Sequence, residues 1–338
     1  MKKNQQSPLK YVLNSYHAFL SAYLLLRFLF GSSWWWLGLL HTFALWLFVP
    51  LLLATPLAFL VAGRKTRLMS LLLVSIGLLR FAPLPIGLVT ASDDVHDLRV
   101  LTFNVWVDNP QIEDSVDWIL AQDADIVILE ELVETNLSQL PRLQENYAHS
   151  AYVEGSVQVF SRYPFLEQEL ITLEPANSQW DGRSAVRTVI ELEGQAISIY
   201  GVHLSLPRRE NPHFNLNTPI DTLNFILRYD ETHRNTQIRT LAEHIQAETN
   251  PVILAGDFNT SHSSPILGNL ASVGLNDSFR AVGTSWGMTW PYLPPKYPMI
   301  RIDYVWFSKQ LSPLRIQVGN FIGSDHLPLV VDFSLKSP

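Results

Sequence analysis

A chain of 338 residues exceeds one typical domain, and a composition that is 47% hydrophobic and 16% charged excludes a disordered polymer. Its net charge of −7 conceals an uneven division: residues 1–92 hold eight Lys/Arg and no Asp or Glu, leaving 16 of the 24 basic and all 31 acidic residues beyond. The first part is therefore +8 and the second −15, which suggests a membrane-embedded part joined to an acidic soluble part and argues against gripping nucleic acid through a basic surface. With no cysteine, disulfides, thiolate zinc sites and thiol nucleophiles are excluded.

Three N-terminal stretches approach the roughly 20 apolar residues that a membrane crossing needs. Residues 11–30 are interrupted by His17 and Arg27 and fit either a span or an interfacial amphipathic helix; Gly31-Ser32-Ser33 ends them. Residues 34–63 are the longest run and open on Trp34, Trp35 and Trp36, where an aromatic belt belongs. Residues 68–84 are shorter, with Arg80 near their end. The apolar sequence continues too far for a cleaved signal peptide. Two or three transmembrane helices are thus expected over 1–90, with a separate domain over 91–338. The basic segment Arg64-Lys65-Thr66-Arg67 reads as a cytoplasmic loop, so the acidic domain is expected outside the cytoplasm, consistent with a bacterial inner or plasma membrane location. A hydrophobic hairpin within a soluble protein is the simpler alternative, and the spans carry no carboxylate that would suggest a transport path.

Beyond residue 90 the pattern alternates. Residues 98–106 read as a strand, Ile112, Val116, Ile119 and Leu120 recur at helical spacing, and 125–129 form a buried-type apolar strand. Residues 186–192 and 196–204 read as a hairpin turning at Glu193-Gly194-Gln195. Ile238, Leu241, Ala242 and Ile245 mark a helix, followed by strands over 251–255, 300–307 and 329–333. The polar stretch 207–232 reads as a long surface loop.

Polar residues collect at the ends of these strands. Asn104 lies near the C-terminal end of the first, Glu130 and Glu131 follow the second, His203 ends the hairpin, and Asp257 and Asn259 follow 251–255. Asp303 lies within the strand 300–307, and Asp325-His326 precede the last one. Singly, each is as readily a turn former, helix cap or hydrogen-bonded core residue. Together they supply oxygen and imidazole groups suited to a hard divalent cation and phosphoryl chemistry. A buried Asp303 would need a partner, and His326 is available.

The segments Leu101-Thr102-Phe103-Asn104-Val105-Trp106, Asp125-Ile126-Val127-Ile128-Leu129-Glu130-Glu131, Gly201-Val202-His203-Leu204, Ala255-Gly256-Asp257-Phe258-Asn259-Thr260, Arg301-Ile302-Asp303-Tyr304-Val305 and Gly323-Ser324-Asp325-His326-Leu327-Pro328 resemble, in order, the motifs of the endonuclease/exonuclease/phosphatase superfamily. The N-terminal spans resemble those of its bacterial membrane-anchored members. The resemblance covers roughly 97–335 and implies a four-layer α/β sandwich, two mixed β-sheets packed face to face with helices outside, preceded by N-terminal transmembrane helices. It further implies Mg²⁺ or Mn²⁺ held mainly by Glu131, assisted by Asn104 and Asp325, although Asp325 could instead only position the site. Asp257 would orient or deprotonate the attacking water, Asn259 would hold the phosphoryl group, and His203 and Asp303-polarised His326 would donate to its oxygens. Accounts of the family differ on whether Asp257 or His326 is the base. Glu130 departs from the family's usual Gln and is expected to add charge at the metal. Arg183 falls where relatives carry a substrate-side basic residue, and a surface ion pair is the other reading.

The sequence therefore predicts a membrane-anchored phosphoesterase. Its substrate is expected to be nucleic acid, a lipid headgroup or a small phosphodiester, its lipid contact the N-terminal helices, and no obligate protein partner is evident. The alternative is a catalytically silent, tethered binding domain of the same fold.

Overall fold

A computed structural model describes residues 8–82, 96–132, 138–153, 156–173, 184–208, 218–291 and 297–336. Arg183 and residues 209–217 of the expected surface loop lie outside the described residues. The chain divides into two compact units, Met1–Leu84 with Ser261–Pro265, and Pro85–Thr260 with Ile266–Pro338.

The first unit contains helices α1 (Pro8–Phe30), α2 (Trp35–Thr42), α3 (Ala44–Phe48), α4 (Leu51–Val61) and α5 (Arg64–Arg80). The expected run 34–63 leaves helical geometry at Phe43. At Pro50, which lacks an N–H, only the hydrogen-bond ladder is interrupted; Val49 and Pro50 keep right-handed helical backbone, so Ala44–Val61 continues in one direction. Arg64 to Arg67, expected as a loop, form instead the first turn of α5 behind the extended residue Gly63. Polar side chains join α1 to α5: Thr66 donates to Asn14 Oδ1 at 3.0 Å, and Ser70 Oγ meets His17 Nε2 at 3.0 Å. Large apolar side chains face outward, with Phe28 86%, Leu53 81% and Leu60 81% exposed. Only Ala44–Val61, among the described residues, is long and apolar enough to cross a membrane. Polar residues such as Asn14, His17 and Arg27 dilute α1 below that level, and α5, at 17 residues, is too short.

The second unit runs β1 (Leu98–Asn104), α6 (Ile112–Ala121), β2 (Ile126–Glu130), α7 (Leu140–Asn146), β3 (His149–Val153), β4 (Val157–Ser161), β5 (Glu167–Thr172), β6 (Ser184–Leu192) and β7 (Gln195–His203). It continues through α8 (Pro219–Leu227), α9 (Thr232–Gln246), β8 (Val252–Asp257), α10 (Gly268–Ser272), β9 (Leu275–Asp277), α11 (Ser278–Val282), β10 (Asp303–Ser308), β11 (Leu311–Val318) and β12 (Leu329–Leu335). Two six-stranded sheets result, ordered β11-β12-β1-β2-β4-β3 and β5-β6-β7-β8-β10-β9. Both are mixed: β1–β2 and β7–β8 are parallel, the other pairs antiparallel.

Side-chain alternation explains the layering. From the first sheet Val100, Ile126, Ile128 and Val159, and from the second Val186, Ile199, Ile253 and Val305, share one buried core between the sheets. The alternate residues Leu101, Phe103, Val127 and Leu129 pack under Val116, Ile119 and Leu143 of α6 and α7. On the other side Tyr200, Val202, Leu254 and Tyr304 pack under Ile238, Leu241, Ile245 and Leu270 of α9 and α10. The four-layer α/β sandwich is therefore present. Strands buried on both faces read as continuous apolar runs, which is why β1, β2 and β8 were visible in the sequence. The sheets approach closely at Gly201, where an added Cβ would stand 2.8 Å from Val159 Cγ2 and 3.2 Å from Ile128 Cγ2.

Differences from expectation are local. The hairpin turns on Glu193-Gly194, both at positive φ, a two-residue connection that pairs Leu192 with Gln195. The first strand stops at Asn104 because Trp106 is left-handed, at φ 61°. The segment 207–232 is not a simple polar loop, since it contains the largely apolar helix α8.

Candidate active site

Sheet register brings the site together. His203 lies opposite Asp257 across the parallel β7–β8 pair, and Asp303 lies opposite the same Asp257 across β8–β10. Residues directly opposite share a face, so three adjacent strands present imidazole, carboxylate and carboxylate side by side. From the other sheet, Asn104 ends β1 opposite Glu130 on β2, with Glu131 next in the chain. Asn104 Nδ2 then reaches across, donating to Asp257 Oδ2 and to Glu131 Oε1 at 3.1 Å each. One carboxamide thus ties the two sheets.

The histidines complete the cluster. His203 Nε2 stands 3.8 Å from both Glu131 Oε1 and Asp257 Oδ2. His326 Nδ1 meets both oxygens of Asp303 at 3.1 Å, and its Nε2 lies 3.7 Å from Asp257 Oδ2. The partner expected for a buried Asp303 is present. Asn259 turns its Nδ2 to the carbonyl of Leu204 at 2.8 Å, and its backbone N–H donates to Asp257 Oδ1 at 2.8 Å. Asp325 accepts from Trp290 Nε1 at 3.1 Å. All the residues nominated from sequence, Asn104, Glu131, His203, Asp257, Asn259, Asp303, Asp325 and His326, are joined by these contacts or by the electrostatic neighbourhood of Asp325, His326 and Glu131.

Three non-glycine residues here have left-handed backbones: Trp106 at φ 61°, Glu131 at 59° and Asn259 at 49°. Such geometry persists where surroundings impose it. Trp106 N–H is fixed by Asn104 Oδ1, and Glu131 is held at its N–H by the Ser156 carbonyl and at its carboxylate by Val107 N–H. Asn259 is gripped at its carbonyl by Arg234 Nη1, while Arg234 Nη2 donates to Glu231 Oε1 at 2.5 Å. Gly256 precedes Asp257 at φ 141°, where a Cβ would fall 1.9 Å from the Val202 carbonyl oxygen, so only glycine fits.

Charge and burial decide the protonation states. Burial pushes Asp257 up to about 6, as does Asp303, while His326, His203 and the Asn259 N–H pull the other way. For His326, burial opposes the charged form, but Asp303, Asp257 and Asp325 outweigh it and hold the imidazole well above its ordinary pKa. Glu130 is fully buried, and burial with the nearby Asp303 and Asp257 drives its pKa well above the carboxylate range, against a 3.0 Å hydrogen bond from Thr102 Oγ1. A neutral Glu130 adds no charge at the expected metal position, contrary to expectation. It is instead a neutral group of glutamine's size in the family's glutamine position.

Sequence reasoning missed the supports. Ser324 Oγ donates to the Asn104 carbonyl at 2.7 Å and accepts from His326 N–H at 3.0 Å, joining the first and last motifs. Thr289 Oγ1 accepts from Ile302 N–H at 3.2 Å and from Asp303 N–H at 3.4 Å. Arg234, Ser324, Thr289 and Trp290 sit in segments with no polar residue breaking an apolar run, the signal that exposed the others; only the hydroxyl before Asp325 stood in a motif.

The comparisons agree with this geometry. Residues 101–326 match the model of the endonuclease/exonuclease/phosphatase family. The chain belongs to that family. Among curated relatives, the uncharacterised Escherichia coli K12 protein YbhP is 26% identical over 194 residues, 55% of this chain and 66% of its own length. Among solved structures, a family protein from Leptotrichia buccalis covers 70% of this chain and 100% of its own, at 22% identity and TM-score 0.53. One from Bacteroides vulgatus gives 72% and 100%, at 17% identity and TM-score 0.55. D. rerio TDP2, complexed with a single-stranded DNA product, gives 70% and 98%, at 18% identity and TM-score 0.53. At these identities the structures share the fold.

Two outcomes are expected. Glu130→Gln, which replaces a neutral acid by a neutral amide, should keep kcat within about threefold of the parent and should not lower the denaturation midpoint, whereas an essential charge at Glu130 would give a loss of about 100-fold. Because the Asp257 pKa is raised on folding, that group favours the folded state below its unfolded value and this contribution is lost as pH rises through about 6. Asp257→Asn should therefore be more stable, relative to the metal-free parent, at pH 8 than at pH 5 in urea titrations; a constant difference would contradict the raised pKa.

Proposed function

We propose that this chain is a membrane-anchored, divalent-metal-dependent phosphoesterase that hydrolyses a phosphodiester by in-line attack of water. The observation that carries the reading is the meeting of Asn104, Glu131, His203, Asp257, Asn259, Asp303 and His326 from strand ends of both sheets, tied by Asn104 and by the His326–Asp303 pair.

Glu131 and Asn104, with Asp325 nearby, offer oxygen donors that fit Mg²⁺ or Mn²⁺. The excess of carboxylates over imidazoles gives the same support, since buried anions without an opposing cation are costly. Such a cation, when bound, neutralises charge developing on the phosphoryl oxygens. Asp257, with a pKa of about 6, is tuned to accept a proton from water near neutral pH. His326, kept protonated, donates through Nε2 to a non-bridging oxygen while Asp303 fixes its ring. His203 donates from the opposite side, and Asn259 places its amide beside the Asp257 carboxylate.

A second metal position has its own observation: ligand atoms of Asp257, Asp303 and His326 lie within 4.8 Å of one another. His326 would then be a ligand and not an acid. The substrate class remains nucleic acid, a lipid headgroup or a small phosphodiester; TDP2's DNA product supports the first, and the acidity of residues 93–338 weighs against it.

The anchoring rests on Ala44–Val61, whose residues are only 28% buried, where the core helix of a soluble protein would be mostly covered. The Arg64, Lys65 and Arg67 cluster that follows keeps that end cytoplasmic, with the catalytic unit on the other side of a bacterial inner or plasma membrane.

On a panel of DNA, RNA, phospholipids and simple phosphodiesters, the full chain in detergent should be active with Mg²⁺, inactive with a chelator and restored by added metal. His326→Ala should lower kcat by about 100-fold or more. Equal activity in parent and variant would contradict the mechanism, and a parent inactive on every phosphoester would favour a silent binding domain. A reporter fused after the last residue should be active only outside the cytoplasm; cytoplasmic activity would reverse the orientation.

A further inference from the structure

Helix α8 is apolar on two opposite sides. Its start is fixed by a capping box, Thr218 with Asp221, and by Pro219 in the first turn. Phe225 and Ile226 are half-buried, Phe225 lying edge-on to the buried Tyr229 at 5.7 Å. The opposite side presents Ile220, Leu223 and Leu227, spaced i, i+3 and i+7 and 71%, 54% and 64% exposed. Burying this face within the unit would have been the ordinary outcome for such a sequence.

The position of α8 gives the exposed face meaning. It lies in the connection from β7, which ends at His203, to α9, whose Arg234 grips Asn259. A backbone bridge between Arg208 and Tyr229 closes the base of this excursion a few residues from His203. The connection from α11 into β10 leads to Asp303 and also carries exposed large side chains, Trp286, Tyr297 and Met299. Because His203 and Asp303 flank Asp257 in register, both connections issue from the site end of the same sheet.

We propose that Ile220, Leu223 and Leu227 of α8 form a docking face for a phospholipid bilayer, bringing the site to the headgroup layer. This rests on the proposed anchoring of the chain through Ala44–Val61. Residues 81–97 join α5 to β1, 17 residues and at most roughly 60 Å of chain, so the chain tethers the second unit within that reach of a bilayer in which the first is embedded. Residues 93–338 carry −15, so attraction to anionic lipid is not the driving force. Burial of uncharged aliphatic side chains is, and tethering raises their effective concentration at the surface. The contact should accordingly be insensitive to salt and independent of anionic lipid. A membrane-borne phosphodiester headgroup becomes the favoured substrate class.

The absence of cysteine allows a direct test on the full chain reconstituted into phosphatidylcholine vesicles. An environment-sensitive dye attached to Leu223→Cys should be blue-shifted, quenched by spin-labelled lipid and shielded from iodide, while the same dye on Glu243→Cys, exposed on α9, should behave as in water. Equal iodide quenching at both positions would overturn the proposal, as would failure of the chain to enter vesicles. Shielding that grows with protein-to-lipid ratio would assign the face to a second copy and also overturn it. Replacing Ile220, Leu223 and Leu227 together by Gln should leave turnover of a soluble nitrophenyl phosphodiester unchanged and lower turnover of a vesicle-borne one about tenfold or more. If the parent cleaves neither, the phosphoesterase reading fails, while the dye still decides the docking.

Discussion

Two carboxylates, Glu131 and Asp257, meet on one nitrogen, Asn104 Nδ2, at 3.1 Å each. Like charges do not settle so close without compensation, and here the compensation is shared between hydrogen-bond donors and the imidazoles of His203 and His326. Asn104 belongs to one sheet and Asp257 to the other, so this contact both assembles the site and fixes where the sheets meet. The core between them, from Val100 to Val305, provides the rigidity that holds the contact in place.

Stability and chemistry are opposed at this point. Asp257 is 1% exposed and Asp303 2%, positions where a core would ordinarily place apolar residues. The fold tolerates them by surrounding them with partnered polar groups: Ser324 joins Asn104 to His326, Thr289 caps Asp303, and Arg234 closes the left-handed Asn259. Glu130 is accommodated differently, by losing its charge. Glu130 and its neighbour Glu131 differ in burial, Glu130 lying fully inside while 25% of the Glu131 side chain is exposed.

Much of this was legible in the sequence because buried strands leave an unmistakable record. Val127, Ile128 and Leu129 make Glu130 and Glu131 conspicuous, and Ile253 to Ala255 do the same for Asp257. The register that aligns His203, Asp257 and Asp303 was not legible, since strand pairing depends on distant segments. Glu130 was misread because charge at a position is a property of its surroundings and not of its residue type. The break of 34–63 at Phe43 was hidden by uniformly apolar composition, and α8 by the polar residues around it. In both cases helical boundaries depend on backbone geometry that hydropathy does not record.

The proposed metal dependence turns on one question, whether a cation sits at Glu131 or among Asp257, Asp303 and His326. Anomalous diffraction from crystals of the full chain grown with Mn²⁺ answers it. The expected result is a single strong peak about 2.1 Å from a Glu131 oxygen with Asn104 in the coordination sphere, leaving Asp257 and His326 free to handle protons. A peak enclosed by Asp257, Asp303 and His326, or none at saturating metal, would contradict it.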